Sequence, residues 1–251
     1  VSNDVIYSLM NNEVIMYSKD FDEVKKVSLE KESKDIFIEN NKLVLVNNAS
    51  FRILDENLTE IYANDDVQNP GYVKFSKSNN NFVYTDYIKA DNSIKSRFHI
   101  LNSKDKTTVC DFTFFNEFII DLGFINDSDD KLYVVTNEKL YIFEKNIIKN
   151  QYYINNLKNI IYDSGKIYLF TNDLKVFNSK DLKLEKSAEI GEDYLNSYIL
   201  DGNILLVKKT GYVLIGKSNL KMKEFSAEIT DSIKGEDSVY LILKNGYKKI
   251  K

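Results

Sequence analysis

The sequence is poor in the residues that build disulfides and metal sites. It contains one cysteine, one histidine, one proline and no tryptophan among 251 residues. A single cysteine excludes an internal disulfide and a thiolate metal cluster, which needs several ligands. A lone histidine also falls short of the several imidazoles that a histidine-based metal site usually uses. We therefore expect neither a bound metal nor a cofactor.

Long apolar runs and basic stripes are missing too. The most apolar stretch, residues 112–124, is interrupted by Asn116, Glu117 and Asp121, so it cannot form a membrane-spanning helix of about 18 apolar residues. The net charge is −4, and charges of both signs are mixed along the chain. Nucleic-acid binding needs a dense lysine and arginine field. We expect no membrane insertion of these residues and no nucleic-acid partner.

What the sequence does contain is an internal repeat. Residues 131–137 (KLYVVTN) and 166–172 (KIYLFTN) match at a spacing of 35 residues. Related apolar runs begin at Val5, Leu43, Phe82, Leu132, Ile167, Ile204 and Val239, at intervals of 38, 39, 50, 35, 37 and 35 residues. A period of 20 to 50 residues indicates a repeat fold.

Each unit reads as a small antiparallel sheet. A second apolar run follows the first after a short polar break, as at Phe51–Leu54 and Leu140–Phe143, which indicates a hairpin. The turn Ser-Lys-Asp then recurs at residues 18–20, 103–105 and 179–181, and a third strand follows it. Another short apolar segment lies between units. The pattern predicts four short strands per unit.

These units predict an all-β fold, a β-propeller of about seven blades, with six to eight as the range. Residues 1–251 are expected to form a single domain. The 50-residue interval predicts an insertion in the third unit or in its exit loop, partly in a hairpin extension over residues 87–95 and partly in the aromatic run 112–118.

The two ends of the repeat do not match. The first unit starts at its second strand and the last stops at its third. Propellers close by mixing strands of both termini, which removes exposed edges. We expect a strand from Val1 to Ser8, or an upstream segment, to complete the ring.

The runs 131–137 and 166–172 resemble the core of YVTN-type and quinoprotein-like propeller repeats. In composition and starting point the chain is also similar to membrane-anchored propeller ectodomains of Gram-positive bacteria. That resemblance implies an extracytoplasmic domain, anchored through an upstream segment.

The rarest side chains give no catalytic pattern. His99 alternates with Phe98 and Ile100 on a predicted strand, and we interpret it as a polar strand residue. Cys110 lies in an ordinary strand context and is interpreted as buried filler rather than a nucleophile. Catalytic and ligand-binding residues therefore stay unassigned.

Two acidic segments are interpreted as turns, with ligand binding as the alternative. Asn126, Asp127, Asp129 and Asp130 could hold calcium but lack the glycine and distal glutamate of a calcium loop. Asp65 and Asp66 precede the only proline, Pro70.

Aromatic residues are the remaining signal. Tyr152, Tyr153, Phe112, Phe114, Phe115 and Phe118 are mostly at strand-like spacing and are assigned to the core, with the run 112–118 as the best exception.

Function is predicted from the scaffold rather than from a site. The leading hypothesis is a non-catalytic propeller that binds a protein or other ligand, such as a glycan, through its loops. The alternative is a carbohydrate-active hydrolase or lyase with paired carboxylates in a central channel. A calcium-assisted lectin that uses residues 126–130 is a third hypothesis.

Overall fold

The structure is a computed structural model, and it describes residues 5–90, 93–125, 127–235 and 238–251. Over these residues the chain consists of strands, turns and loops, and it contains no helix. Accordingly, the described part of the chain has no helix able to span a lipid bilayer.

The described residues form twenty-six strands in seven successive sheets. The strands of the first four sheets are β1 (Val5–Met10), β2 (Glu13–Ser18) and β3 (Glu23–Ser28); β4 (Asp35–Glu39), β5 (Lys42–Val46), β6 (Phe51–Leu54) and β7 (Glu60–Asn64); β8 (Val73–Phe75), β9 (Asn81–Ala90), β10 (Ser93–Asn102) and β11 (Thr108–Phe115); and β12 (Ile119–Phe124), β13 (Lys131–Thr136), β14 (Lys139–Glu144) and β15 (Ile147–Tyr153). The strands of the last three sheets are β16 (Asn159–Asp163), β17 (Lys166–Phe170), β18 (Asp173–Asn178) and β19 (Leu184–Glu189); β20 (Tyr194–Ile199), β21 (Asn203–Lys208), β22 (Gly211–Gly216) and β23 (Met222–Ser226); and β24 (Ile229–Lys234), β25 (Val239–Leu243) and β26 (Gly246–Ile250).

The sheet topology confirms the predicted repeat. Within each sheet, strands that follow one another in sequence are neighbours and pair antiparallel. Every predicted unit start falls within one residue of the start of a strand, namely β1, β5, β9, β13, β17, β21 and β25. Five sheets have the four predicted strands, whereas the described residues of the first and last sheets form three.

The segment expected to close a ring is described in part. Residues 1–4 lie outside the described part of the chain, while Val5–Ser8 belong to β1 and pair with β2 in the first sheet. Ring closure by this segment stays a prediction.

The chain divides into two compact units, Val1–Lys149 and Asn150–Lys251. The first unit holds β1 to β14 and the start of β15. The second holds the end of β15 and β16 to β26.

Neighbouring sheets within each unit are joined by buried side chains that alternate between the two sheet faces. In β5, Val44 belongs to the cluster shared with the third sheet, while Leu43 and Leu45 belong to the cluster shared with the first. In β21, Ile204 contacts one neighbouring sheet and Leu205 the other. Alternating residues of a strand point to opposite faces, so burial on both faces makes the strand continuously apolar.

The predicted Ser-Lys-Asp turns share one backbone feature. The residue after the turn triplet has a positive φ: Phe21 at 65°, Lys106 at 64° and Leu182 at 53°. A non-glycine residue in this region costs roughly 1–2 kcal/mol. In each case the strand pairing shifts register at the turn, as between Val176 and Phe177. The turns therefore place the fourth strand through a bulge rather than a tight regular hairpin.

The insertion in the third unit lies where it was predicted. Strands β9 and β10 have ten residues each, against five or six for the equivalent strands β17 and β18, and the extra length falls in residues 87–90 and 93–95. Strand β11 is also long and contains most of the aromatic run.

The aromatic core of the third and fourth sheets can be tested by truncating Phe143. Its ring is fully buried and lies 5.1 Å from the Phe98 ring and 4.8 Å from the Phe112 ring, centroid to centroid. We expect Phe143→Ala to lower the free energy of unfolding by about 3–5 kcal/mol, because it leaves a cavity. The control is Phe115→Ala, at a ring that is 65% exposed, which should cost no more than about 0.5 kcal/mol. Urea denaturation measures both, and equal losses would contradict this description of the core.

Candidate functional site

The candidate site lies in the first unit, at the end of the sheets where the β9–β10 hairpin projects. Two intersheet connections come to the same end: residues 65–72, which lead into β8, and residues 116–118, which lead into β12. Backbone hydrogen bonds tie them to the hairpin, from Tyr87 N to Gln68 O (2.9 Å) and from Asn116 N to Ile94 O (2.9 Å). We call this end of the first unit the hairpin end.

Gly71 allows one connection to lie directly against the hairpin. Its amide donates to Thr85 O at 3.0 Å. A Cβ at this position would come within 2.7 Å of both the Thr85 hydroxyl oxygen and the Tyr87 ring. Only glycine fits such an approach without displacing its neighbours.

A pocket of ≈ 490 Å³ opens at the hairpin end. Its walls come from the second and third sheets: Asp35, Phe37, Val46, Pro70, Gly71, Tyr72, Val73, Lys74 and Tyr87. This volume lies within the range of small-molecule and side-chain pockets, about 300–1,000 Å³.

Two tyrosines join this pocket to the fourth sheet. Tyr87 OH donates to Ile119 O at 2.8 Å, and Tyr72 OH donates to Ile120 O. Burial raises the pKa of Tyr87 to about 12, and burial followed by the charge of Asp121 raises the pKa of Tyr72. Both hydroxyls therefore stay protonated and act as donors.

Exposed apolar side chains also lie at the hairpin end, on β11, on β12 and on the connection between these strands. Phe115 is 65% exposed, Phe118 40% and Ile120 38%. Ile120 is exposed because the pairing of β12 with β13 skips it, at a bulge between Ile119 and Asp121. Bulges turn a side chain away from the alternating pattern. We call Phe115, Phe118 and Ile120 the apolar rim.

Of the aromatic residues predicted to lie in the core, the structure buries some and exposes others. Phe114 is buried and Phe112 packs against the same core cluster, whereas Phe115 and Phe118 are exposed. In the second unit, Tyr152 packs against Phe177 with ring centroids 4.7 Å apart. Tyr153 is 68% exposed.

Charged residues on three successive sheets interact beside the pocket. Lys74 Nζ lies 2.9 Å from Glu39 Oε2, which joins β8 to β4. Asp121, on β12, is the third member: burial raises its pKa to about 6, the positive charge of Lys74 opposes this rise, and Glu39 adds to it. We call Glu39, Lys74 and Asp121 the charged row.

Asp121 also accepts a hydrogen bond from a residue of its own sheet. Tyr133 OH donates to Asp121 Oδ2 at 3.1 Å. Tyr133 faces Gly123 on the neighbouring strand, and a Cβ on Gly123 would come within 2.9 Å of the Tyr133 ring. The missing side chain makes room for the ring, and the ring in turn positions its hydroxyl.

His99 has a partner that the sequence did not reveal. It lies on β10 with Nε2 3.6 Å from Asp86 Oδ1, and its ring stacks on Tyr84 at 4.7 Å between centroids. Asp86 is 1% exposed and also accepts two hydrogen bonds from Arg97. Although burial favours the neutral acid, hydrogen bonds from His99 and Arg97 lower the pKa of Asp86.

The two acidic segments join strands and sheets through separate contacts. Asn126 lies outside the described residues. Asp127 pairs with Lys77 at 3.0 Å, whereas Asp129 accepts from Asn80 Nδ2 at 3.0 Å and from the Ser78 hydroxyl. These carboxylates point to donors on the third sheet and do not converge, and no group of three potential metal ligands occurs in the described part of the chain.

The remaining residues singled out by sequence also have structural contacts. Asp65 pairs with Lys31 at 3.0 Å and with Arg52 at 3.3 Å, while Asp66 is exposed. Cys110 belongs to the core of the third and fourth sheets, and burial raises its pKa to about 11. Its thiol is therefore neutral at ordinary pH.

Comparisons with known proteins establish the fold. The chain is similar in structure to BamB from Moraxella catarrhalis (13% identity, 97% of this chain and 79% of that one, TM-score 0.61). It is also similar to Saccharomyces cerevisiae Sqt1 (8%, 98% and 80%, TM-score 0.67) and to the Neurospora crassa Pan2 WD40 domain (9%, 99% and 85%, TM-score 0.63). No family model matches the chain, and no curated protein matches it by sequence. The predicted β-propeller, with seven sheets as its blades, is confirmed.

The charged row gives a pH dependence that can be measured. Asp121 has a folded pKa of about 6 against an ordinary 3.8. Between these values the folded state keeps a proton that the unfolded chain releases, so stability falls as the pH rises from about 4 to 7. The Asp121→Asn variant keeps a hydrogen-bond acceptor for the Tyr133 hydroxyl. It has no titratable group at this position, so the decrease in stability between pH 4 and 7 should be absent. We expect the variant to be more stable than the wild type at pH 7.5, by roughly 2 kcal/mol and at most about 3, but not at pH 4.

Asp86→Asn is the matched control, because the pKa of Asp86 is shifted downward. Its contribution is present above the ordinary carboxyl pKa and is lost as the pH falls through the folded value. The variant should be less stable at pH 7.5 by about 3–5 kcal/mol, since Arg97 loses a buried partner. Urea denaturation at both pH values measures the two variants. An Asp121→Asn slope equal to that of the wild type would contradict the assignment.

Proposed function

We propose that the protein is a non-catalytic binding scaffold and that the hairpin end of its first unit binds a polypeptide segment. The observation that carries this proposal is that the exposed apolar rim and the 490 Å³ pocket lie at the same end of the first unit, where the hydroxyl of the pocket residue Tyr72 donates to the backbone oxygen of Ile120. Exposed apolar side chains and preformed pockets are both typical of binding surfaces.

Rigidity supports this assignment. The pocket walls are strands and connections that are hydrogen-bonded to the long hairpin, and two tyrosine hydroxyls fix them to the fourth sheet. A preformed site loses little conformational entropy when it binds. Tyrosine and phenylalanine are also residues that contribute much of the binding energy at protein interfaces.

The charged side chains in and beside the pocket indicate which charge the partner carries. Asp35 lines the pocket, Glu39 and Asp121 lie beside it, and the one lysine in the pocket wall, Lys74, is paired with Glu39. The site is therefore net negative at neutral pH. We propose a segment that inserts an aliphatic or aromatic side chain and carries a lysine or arginine next to it, since complementary charge steers association.

Selection of peptides from a random display library tests this proposal. We expect the wild type to enrich sequences that combine an apolar residue with a neighbouring basic one. Phe118→Ser and Asp35→Asn should each weaken binding of a selected peptide by about tenfold or more. The control is Ile147→Ser, at a residue of the same unit that is 55% exposed, and its binding should be unchanged. Failure to enrich any sequence, or equal binding by Phe118→Ser, would refute the proposal.

A second candidate function is a glycan hydrolase or lyase. It is favoured by one observation: Asp121 has a pKa of about 6 and interacts electrostatically with a second carboxylate, Glu39. A proton donor near neutral pH beside another carboxylate is the arrangement that general acid–base cleavage of glycosides uses. If this function is correct, a panel of aryl glycosides and uronate polymers will contain a substrate, and Asp121→Asn will lower its turnover by about 10²–10⁴-fold. No turnover by the wild type would eliminate this candidate.

Two further properties stay proposals. We propose that residues 1–251 form one domain, because the repeat continues through both compact units. We also propose an extracytoplasmic location, which the sequence resemblance to anchored propeller ectodomains supports.

A further inference from the structure

A second pocket, of ≈ 330 Å³, lies at the opposite end of the second and third sheets. Lys42 comes from the turn between the first and second strands of one sheet, and Ser103, Lys104 and Lys106 come from the turn between the third and fourth strands of the next. In an antiparallel sheet these two turns share one end, away from the β9–β10 hairpin. The site therefore does not overlap the hairpin end.

Two lysines of this pocket donate hydrogen bonds to neutral oxygens. Lys42 Nζ donates to Asn79 Oδ1 at 2.8 Å and to Asn40 O at 3.4 Å, and Lys106 Nζ donates to Ser103 O. All three acceptors are neutral. Within the described part of the chain, neither ammonium forms an ion pair with a carboxylate, in contrast to Lys74 and Lys77.

The carboxylate that acts on Lys106 is itself held by other donors. Asp105 raises the pKa of Lys106 through its charge, but its Oδ1 accepts from the hydroxyl (2.7 Å) and the amide (3.0 Å) of Thr107. Burial lowers the pKa of both Lys42 and Lys106, and the charge of Lys106 lowers that of Lys42 further. Partly buried cations of like sign that lack a counterion create a positive potential in the space between them.

A hydroxyl in the same pocket has no partner. Ser103 Oγ is buried and makes no hydrogen bond within the described residues. A buried hydroxyl without a partner costs about 1–3 kcal/mol, and most are satisfied in folded proteins. An anion held between the lysines would offer this hydroxyl an acceptor.

Aromatic rings form the apolar part of the wall. Lys42 Nζ lies 4.5 Å from the centroid of the Phe75 ring, and Lys106 Nζ lies 5.9 and 5.8 Å from those of Tyr62 and Phe82. The ammonium groups thus lie near ring faces that also line the pocket. A ligand that reaches the lysines therefore also contacts aromatic surface.

We propose that this pocket binds a small organic anion, with its phosphate or carboxylate group between Lys42 and Lys106 and an apolar or aromatic body against Tyr62 and Phe75. The Ser103 hydroxyl donates to the anionic group, and Lys104 adds positive charge at the entrance. The volume suits a ligand of about one ring plus its charged group, because 300 Å³ is near the lower bound for ligand pockets.

Calorimetric titration of the full chain tests the proposal with four probes: phenyl phosphate, benzoate, inorganic phosphate and neutral benzyl alcohol. We expect phenyl phosphate or benzoate to bind with a Kd below about 1 mM, inorganic phosphate to bind more weakly, and benzyl alcohol not to bind. The stronger of the two organic anions identifies the charged group.

Variants locate the site. Lys42→Met and Lys106→Met keep most of the packing of the stem and remove one charge each, and each should weaken binding by about tenfold or more. Lys77→Met is the matched control, since this exposed lysine at the same end already pairs with Asp127. Its affinity should change by less than about twofold.

The two lysine variants also give a readout in the absence of anions. Each removes an uncompensated cation, so neither should lower the free energy of unfolding by more than about 0.5 kcal/mol, and Lys106→Gln provides a second variant if Lys106→Met does not fold. No binding of either organic anion by the wild type, equal binding by Lys42→Met and the wild type, or an equal loss in Lys77→Met would each overturn the proposal.

Discussion

Burial of both faces of each sheet is the constraint on which this structure depends. A single sheet of five-residue strands cannot shield its own apolar faces, so each interior sheet of a unit packs against the next one. The second strand of a sheet is buried on both faces. In β5, Val44 packs toward the third sheet while Leu43 and Leu45 pack toward the first. A polar residue in the middle of such a strand would be buried whichever face it occupied. Polar and charged side chains are therefore found at the strand ends, in the turns and on the first and fourth strands.

Both proposed sites lie at strand ends and turns, where polar and charged side chains are found. The third unit has longer second and third strands, and the extra length projects beyond the packed region at the hairpin end. There it supports the connection at Gly71 and leaves room for the 490 Å³ pocket. At the other end, the turn residues of two sheets meet without a long hairpin, and lysine side chains and aromatic rings line the 330 Å³ pocket between them. The difference between a rigid apolar surface and a small cationic pocket thus arises from the length of one hairpin.

The sequence predicted the repeat well because two-faced burial imposes a local pattern that recurs with each unit. Strand starts, the second–third hairpins and the Ser-Lys-Asp turns all depend on residues close together in the chain. The site residues depend on neighbours one unit away. Glu39 and Lys74 are 35 residues apart, and Asp86 meets His99 across a hairpin. No local pattern distinguishes Asp121 from other acidic residues, since its shifted pKa arises from burial and from groups on three other strands. Only the exposed part of the run 112–118 carried a usable signal, whereas the exposure of Ile120 depends on the bulge at that position.

The charged side chains at the two ends of these sheets have different partners. The charged row combines two carboxylates with one lysine, whereas the second pocket is lined, among the described residues, by lysines and by no carboxylate. At the charged row, Lys74 pairs with Glu39, and its charge opposes part of the effect of burial on Asp121. Lys42 and Lys106 have no carboxylate partner in the part of the chain that the structure describes; their ammonium groups donate to neutral oxygens and lie over the Phe75, Tyr62 and Phe82 rings. A methionine or glutamine at these positions would satisfy the packing at a lower desolvation cost. The positive charges of Lys42 and Lys106 therefore lack a carboxylate counterpart within these described residues; a bound anion would supply one and would also give the unsatisfied Ser103 hydroxyl an acceptor.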